Sequence, residues 1–354
     1  MQIKIENVPF ARFGSYLTFS VLPPSWGYEG LVWRTMHRGA QHEVFRMAMI
    51  RNGHTVPYRV KATPTLCSLE PTESEGKIEL CLPETDVVRL RGSGGVGLRL
   101  ESVPLGQGHY AFPLGDDAVN INCPANKVQY RMFPLHGDLQ MDMPVHIGDH
   151  KRGVGEKRNP SNEPAIVVDF QPAEDGRFEF CAQEYIATPQ DVVSLERNFD
   201  ECHEMARKHW FGWMETAPDV PERYREGAAH AMHVNYASTV GPWGNLKRNT
   251  MLMSRNWMTS CWSWDHCFNA IACSYGNPDV AWDQLNVHFD LQEPGGCLPD
   301  AVNAENMGWN FCKPPIHGWA LACMVDANPD VLNEERAQNL YPRLLRWTNW
   351  WLIH

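Results

Sequence analysis

The residues best suited to chemistry are concentrated between Trp257 and Trp319. This stretch combines several aromatic side chains with carboxylates, amides and a lysine. An indole face can pack against the C–H face of a pyranose, while carboxylate, amide and ammonium groups hydrogen-bond sugar hydroxyls in a concave site. The composition therefore predicts a carbohydrate site. We predict that seven residues bind substrate: Trp262, Trp264, Asp265, Gln292, Asp300, Asn303 and Lys313.

The spacing of three charged residues predicts that they meet. Asp265 and Lys313 lie just before apolar helical segments, and Asp300 lies in a Gly/Pro-rich loop after the intervening helix. Successive antiparallel helices would bring all three to one end of a bundle. Two simpler interpretations stay open at this point, because Asp265 could be only a helix cap and Lys313 could lie in a solvated turn.

The elements that must position these residues are helices. Apolar residues at helical spacing predict five helices in the second half of the chain, at residues 221–240, 264–275, 278–292, 316–326 and 329–354. The sequence Asn277-Pro-Asp-Val280 recurs 51 residues later as Asn328-Pro-Asp-Val331, each copy following an apolar helix. Asn can cap the next helix and Pro can occupy its first turn. The repeat predicts stacked helical hairpins, in a solenoid or a closed toroid.

The first half of the chain has a different pattern. Short runs of alternating apolar residues, separated by Gly- and Pro-containing turns, predict an antiparallel β-sandwich over residues 1–190. Residues 191–220 are predicted to form a linker helix and connection, and residues 221–354 the first helical hairpins. The charged, Gly- and Pro-containing segment 149–162 is typical of a solvated loop.

Composition excludes several classes of protein. The 354 residues carry a net charge of −11 and no basic stripe, which argues against a nucleic-acid partner. No segment is apolar over the length of a membrane span, and residues 1–15 lack the apolar core of a secretion signal. The eleven cysteines include no CxxC pair, as expected of reduced thiols in the cytoplasm. We therefore expect a cytoplasmic protein without a membrane partner, whereas the oligomeric state is left open.

Two further motifs favour structure over chemistry. The glycines of Gly92-Ser-Gly94-Gly-Val-Gly97 match a dinucleotide fingerprint, which would suit a nicotinamide-dependent oxidoreductase. The alternation that follows predicts a strand and a hairpin instead of the required helix. A zinc site requires four convergent ligands at short, recurring spacings. Three sets of residues could be proposed as metal ligands, but none supplies four: His146 with His150, His230 with His233, and Cys261 with His266 and Cys267. We therefore predict no metal and no organic cofactor.

The motifs between residues 253 and 318 resemble those of glycoside hydrolase family 63 and its (α/α)6-barrel relatives. These relatives include α-glucosidases and the mannosylglycerate and glucosylglycerate hydrolases. The matching stretches are Met253-Ser through Trp262-Ser-Trp264-Asp265-His-Cys-Phe268, Gln292 to Asn303, and Lys313-Pro-Pro-Ile-His-Gly318. The resemblance implies an N-terminal β-sandwich with an (α/α)6 toroid. It also implies hydrolysis of an α-glucoside or glycosyl-glycerate with inversion, which requires a general acid and a general base.

The family's acid loop, of the type Ser-Gly-Trp-Asp-Asn-Ser, does not occur in this sequence. Five helices are predicted where six hairpins need twelve, so we expect only the first part of the toroid, with the acid and base after His354. The 354-residue chain alone is then expected to be inactive. A pair formed by Asp265 with Asp300 or Glu305 is an alternative acid and base. A non-catalytic carbohydrate-binding protein is the alternative function.

Overall fold

The protein divides into two compact units, Met1–Trp210 and Phe211–His354. The computed structural model describes residues 1–27, 29–103, 109–115, 118–142, 166–309 and 311–354. The predicted loop at 149–162 and the pair His146 and His150 lie outside these residues.

The first unit contains sixteen strands among its described residues, and every pairing described between them is antiparallel. In chain order, β1 to β8 are Phe10–Ala11, Leu17–Val21, Leu31–Thr35, Glu43–Arg51, His54–Thr55, Tyr58–Ala62, Cys67–Pro71 and Lys77–Cys81. Strands β9 to β16 are Val87–Ser93, Gly97–Ser102, Tyr110–Pro113, Val119–Cys123, Val128–His136, Asp138–Asp142, Val167–Gln171 and Phe178–Tyr185.

These strands form two eight-stranded sheets. One has the order β1-β2-β3-β4-β10-β15-β14, with β5 also paired to β4, and the other has the order β11-β12-β13-β16-β9-β8-β7-β6. The consecutive strands β15 and β16 lie in different sheets. Strand β16 lies between β13 and β9, and it therefore joins two groups of strands that are otherwise separate in the second sheet.

A shared apolar core connects the two sheets. Trp33 on β3 makes an edge contact with Tyr130 on β13, with ring centroids 5.4 Å apart. Phe170 on β15 stacks on Phe180 on β16, with centroids 3.5 Å apart. Alternating side chains thus bury one face of each sheet against the other, and the predicted antiparallel sandwich is confirmed.

The glycine motif lies at a crossing between the sheets. Strand β9 ends at Ser93 and β10 begins at Gly97, as predicted, so no helix follows the glycines. The predicted hairpin is wrong, however, because β9 pairs with β8 and β16 whereas β10 pairs with β4 and β15. Gly94 has a φ of +75°, and a Cβ there would lie 2.7 Å from the Cα of Gly76. The glycines are needed for this tight crossing.

The predicted linker helix is present but begins later than residue 191. Helix α1 spans Phe199–Met214. Asn198 and Glu201 explain its start, because the Asn198 side-chain oxygen accepts from the Glu201 N–H and the Glu201 carboxylate accepts from the Asn198 N–H, both at 3.0 Å. This reciprocal capping box defines the first turn.

All five helices predicted in the second unit are present, with shifted ends. They are α2 at Arg225–Ser238, α3 at Ser263–Ser274, α4 at Pro278–Asn286, α5 at His317–Ala327 and α6 at Glu334–Ile353. Short 3-10 turns at Glu222–Tyr224, Phe289–Leu291 and Pro329–Val331 account for the differences at residues 221, 292 and 329. Four short strands complete the unit as two antiparallel pairs, β17 (Thr239–Val240) with β18 (Thr250–Met251), and β19 (Cys261–Trp262) with β20 (Ala301–Val302).

The repeated Asn-Pro motifs begin both copies of the hairpin. The side chain of Asn277 accepts from Val280 N–H at 3.2 Å and caps α4. The side chain of Asn328 caps a 3-10 turn instead, accepting from Asp330 N–H at 3.0 Å. It also donates to the carbonyl of Ser274 at the end of α3, at 3.0 Å, and thereby links the two copies.

Within the described parts of the chain, no helix has the length and apolar character needed to cross a membrane. All eleven cysteines lie in these parts and are free thiols.

Candidate functional site

The start of helix α3 brings two of the predicted site segments together. Strand β19 ends at Trp262, and α3 begins at the next residue. Trp262 is half-buried and pairs across the β-ladder with Ala301, the residue after Asp300. This short ladder therefore holds the Asp300 loop beside the first turn of α3, where Asp265 lies.

Lys313 completes a group of three charges at this end of the helices. Its Nζ lies 3.1 Å from Oδ1 of Asp300, whose side chain is nearly buried. Lys313 and Asp300 both lie close enough to Asp265 to shift the pKa of its carboxyl group in opposite directions. The structure thus brings Asp265, Asp300 and Lys313 together, as the helix spacing predicted, and Lys313 is not in a simple solvated turn.

Asp265 is half-buried, and burial raises the pKa of its carboxyl group above the ordinary value of 3.8. The charge of Asp300 raises this pKa further, whereas hydrogen bonds to its own N–H and to Trp264, and the charge of Lys313, lower it. Water is thus partly excluded from a carboxylate that faces other charges, which is typical of functional sites. Trp262 occupies the N-cap position of α3, but its side chain makes no capping hydrogen bond.

Three exposed aromatic side chains form a series of ring contacts that begins at Trp264, the hydrogen-bond partner of Asp265. Trp264, Phe268 and Trp319 are 38%, 50% and 53% exposed, and we call them the aromatic ladder. Phe268 makes edge contacts with both tryptophans, at centroid distances of 6.4 Å and 5.9 Å. Phe268 and Trp319 lie within the stretch from Trp257 to Trp319 but are not among the seven predicted site residues. The spacing of four between Trp264 and Phe268 was the available indication that they share a helix face.

Both polar atoms of the Gln292 side chain form hydrogen bonds within the protein. Its Nε2 donates to the carbonyls of Gly296 and Arg343, at 2.8 Å and 2.9 Å, and its Oε1 accepts from Arg346 Nη2 at 3.2 Å. These bonds attach the start of the Asp300 loop to α6. The geometry favours a positioning role for Gln292.

Asn303 likewise organises the end of this loop. Its side-chain oxygen accepts from the N–H groups of Glu305 and Asn306, at 3.0 Å and 2.8 Å, and its Nδ2 donates to Ser260 Oγ at 3.0 Å. One amide hydrogen is left for any ligand. The contacts therefore give Asn303 a turn-forming role, whatever its part in substrate binding.

Beneath this end of the helices lie three buried histidines, His266, His288 and His317. His266 Nδ1 donates to the Trp262 carbonyl at 3.2 Å, because a carbonyl can only accept. The indole N–H of the fully buried Trp347 donates to His317 Nδ1, also at 3.2 Å, so His317 carries its proton on the other nitrogen. Burial lowers the pKa of all three imidazoles, to about 4 in His266 and His317.

The buried His317 makes the stability of the second unit pH-dependent. Because its pKa is lowered from an ordinary 6.5 to about 4, the unfolded chain takes up a proton first as the pH falls. Stability is therefore complete above pH 6.5 and decreases toward pH 4. Between pH 6.5 and 4 the unfolded chain binds up to one more proton at His317 than the folded chain does. We expect His317→Gln to remove this difference and to reduce the slope of the unfolding free energy against pH by up to about 1.4 kcal/mol per pH unit.

Urea unfolding followed by tryptophan fluorescence at several pH values measures this slope. His54→Gln, at an exposed position on β5 of the first unit, is the control and should leave it unchanged. An equal slope in the wild-type protein and the His317→Gln variant would contradict the prediction.

The described residues contain no group of three or more His, Cys, Asp or Glu side chains able to hold a metal ion. The thiols of Cys261 and Cys267 instead donate to the carbonyls of Val302 and Ser263, at 3.2 Å and 3.6 Å. Their contacts are those of packed structural residues.

Comparisons with known proteins agree with this architecture. Residues 258–354 match the family model of the mannosylglycerate hydrolase MGH1-like glycoside hydrolase domain. The structure of the GH92 family glycosyl hydrolase ccman5 is similar over 98% of this chain and 55% of that chain, at 11% identity and a TM-score of 0.56. The family GH92 inverting mannosidase BT2199 from Bacteroides thetaiotaomicron VPI-5482 is similar over 93% and 51%, at 11% identity and a TM-score of 0.55.

The chain therefore spans about half the length of these two solved structures. At 11% identity, the likeness shows a shared fold of a β-sheet region followed by helices. The family model independently covers Trp262, the Asp300 loop and Lys313, the motifs from which the resemblance was inferred. Together, the family model and the fold confirm the resemblance of this chain to glycoside hydrolases of the (α/α)6 type.

Proposed function

We propose that the whole protein hydrolyses an α-glycosidic bond with inversion, and that the second unit of this chain supplies the subsite for the terminal sugar. The observation that carries the proposal is the position of Asp265, a half-buried carboxylate with a raised pKa beside both the Asp300–Lys313 ion pair and the exposed aromatic ladder. Polar groups that converge beside exposed aromatic faces suit a sugar.

Each part of the subsite has a distinct task in this proposal. Trp264 offers an indole face to the apolar face of the pyranose ring, and the Asp265 carboxylate accepts hydrogen bonds from ring hydroxyls. Lys313 keeps hydrogens available for a sugar oxygen, because an ammonium group has three donors and Asp300 occupies one side of it. Trp262, half-buried at the start of α3, is proposed to line the same subsite.

Inversion requires two carboxyl groups about 6.5–9.5 Å apart, with a water between the sugar and the base. We assign sugar recognition, and not proton transfer, to Asp265, which lies near the Asp300–Lys313 ion pair and the exposed Trp264. The name of one similar structure, an inverting mannosidase, supports this stereochemistry. The first substrates to test are α-mannosides, α-glucosides and glycosyl-glycerates. The α-mannosides are included because of the name of that structure and the name of the matching family model. A closed (α/α)6 toroid in the whole protein is part of the same proposal.

The test has a binding arm and a reaction arm. Calorimetric titration of the 354-residue chain with mannose, glucose and glucosylglycerate should detect binding of at least one of them. Proton NMR of the whole protein with α-mannosides and α-glucosides should show the β-anomer as the first product. Binding without turnover would favour the non-catalytic carbohydrate-binding alternative, and an α-anomer as first product would exclude inversion.

A further inference from the structure

Two cysteine thiols meet next to the charged group of the site. The sulfur of Cys297 lies 3.7 Å from the sulfur of Cys312, in a thiol–thiol hydrogen bond. Cys297 is also within 3.4 Å of the Leu298 carbonyl, to which it donates. Both cysteines are free thiols in this structure. A disulfide bond requires a sulfur separation of about 2 Å, so a shift of less than about 2 Å would allow a covalent bond.

The two thiols belong to the two segments that carry the ion pair. Cys297 precedes Asp300 by three residues, in a loop whose Glu293 N–H donates to the Cys297 carbonyl at 3.1 Å. Cys312 directly precedes Lys313 in the segment that leads to α5. A bond between the sulfurs would thus connect these segments beside the Asp300–Lys313 contact.

We propose that Cys297 and Cys312 form a reversible disulfide when the protein meets a low-molecular-weight disulfide such as oxidised glutathione. The thiolate of Cys312 attacks one sulfur of the small disulfide and releases one small thiol. Cys297 then attacks the Cys312 sulfur, and the proton that Cys297 gives up passes to the departing sulfur, which leaves as the second small thiol. Two electrons pass from the cysteine pair to the oxidant, which is reduced to two thiols.

The different surroundings of the sulfurs determine this order. Cys297 is buried, and burial raises the pKa of its thiol to about 12, so it remains protonated and shielded from a bulky oxidant. Cys312 is half-buried and can be reached first. Cys323 is also half-buried and provides a matched thiol for comparison.

Oxidation would close a loop with 14 residues between the two cysteines. Such a cross-link restricts the unfolded chain, and we expect the thermal midpoint of the second unit to rise by about 5 °C. Restoring reductant should reverse this shift.

The experiment incubates the reduced full chain with glutathione buffers of increasing oxidised fraction. Acid quenching, alkylation of free thiols and peptide mass spectrometry then quantify each linked pair. The Cys297–Cys312 peptide, lighter by two hydrogens than its reduced components, should be the first and most abundant disulfide. Cys312→Ser should leave Cys297 reduced, and Cys297→Ser should trap Cys312 as a mixed disulfide with glutathione. Cys323→Ser should leave the cross-link unchanged.

The proposal is overturned if Cys297 and Cys312 become cross-linked no faster than other cysteine pairs, or if Cys312 accumulates as a mixed disulfide in the wild-type chain. These readouts require no enzymatic activity. Their failure would leave the proposed sugar subsite intact, and failure of sugar binding would leave the disulfide intact.

Discussion

Asp265→Ala is expected to lower the kcat/KM of the whole protein for an α-glycoside about 100-fold. In the proposed subsite this half-buried carboxylate, which interacts with Trp264, Lys313 and Asp300, accepts hydrogen bonds from the sugar, and the substitution would remove these charged hydrogen bonds. Such bonds contribute about 1.5–3 kcal/mol each, and a 100-fold loss corresponds to about 2.7 kcal/mol. Steady-state kinetics measures the ratio, and titration calorimetry on the chain should show weakened sugar binding.

Asp279→Ala is the matched control for this variant. Asp279 lies in the first turn of α4 as Asp265 lies in the first turn of α3, but its side chain is exposed and pairs with Arg336. Both substitutions remove a negative charge that interacts favourably with a helix N-terminus. If Asp265 acts only through its helix, the two variants will lose similar stability and both will retain kcat/KM.

Lys313→Met is expected to lower the free energy of unfolding of the second unit by about 2 kcal/mol. The substitution keeps an apolar chain of similar length but leaves the buried carboxylate of Asp300 without its cation. Breaking a fully buried ion pair costs about 3–5 kcal/mol, and the expected cost here is smaller because the Lys313 side chain remains 28% exposed. Urea unfolding at neutral pH measures the change.

The double variant Lys313→Met/Asp300→Asn separates the ion pair from the loss of lysine packing. Replacing both charges removes the unpaired carboxylate, so stability should recover to within about 1 kcal/mol of the wild-type value. Lys61→Met, which removes a surface ion pair with Glu70, should cost less than about 1 kcal/mol. A double variant as unstable as Lys313→Met would show that the charge of Asp300 is not the cause.

The helices were predictable because their signals are local. Asn277 and Pro278 mark the start of α4 within a few residues, and the apolar spacing that follows defines its buried face. The proximity of Asp265 to Lys313 could be predicted because successive helices of a hairpin repeat run in opposite directions. The same reasoning placed α6 too early, because a 3-10 turn and the cap at Asn333 separate Pro329 from the helix.

Features that depend on distant partners were not predictable. The glycines at 94 and 95 predict a turn, but only the pairing of β10 with β4 and β15 shows that the chain changes sheets there. Gln292 is predicted to bind substrate, and its hydrogen bonds to Arg343 and Arg346, more than fifty residues away in sequence, could not be predicted. Residue type alone does not reveal hydrogen bonds to such distant partners.

The position of β16 between β13 and β9 has a consequence for synthesis on the ribosome. The strands β6 to β9 and β11 to β13 can pair locally as soon as they emerge, but each group then presents an open edge. Neither edge finds its partner until Phe178–Tyr185 has left the exit tunnel. Completion of the sandwich therefore waits for almost the whole first unit, and aggregation during translation is the hazard of this strand order.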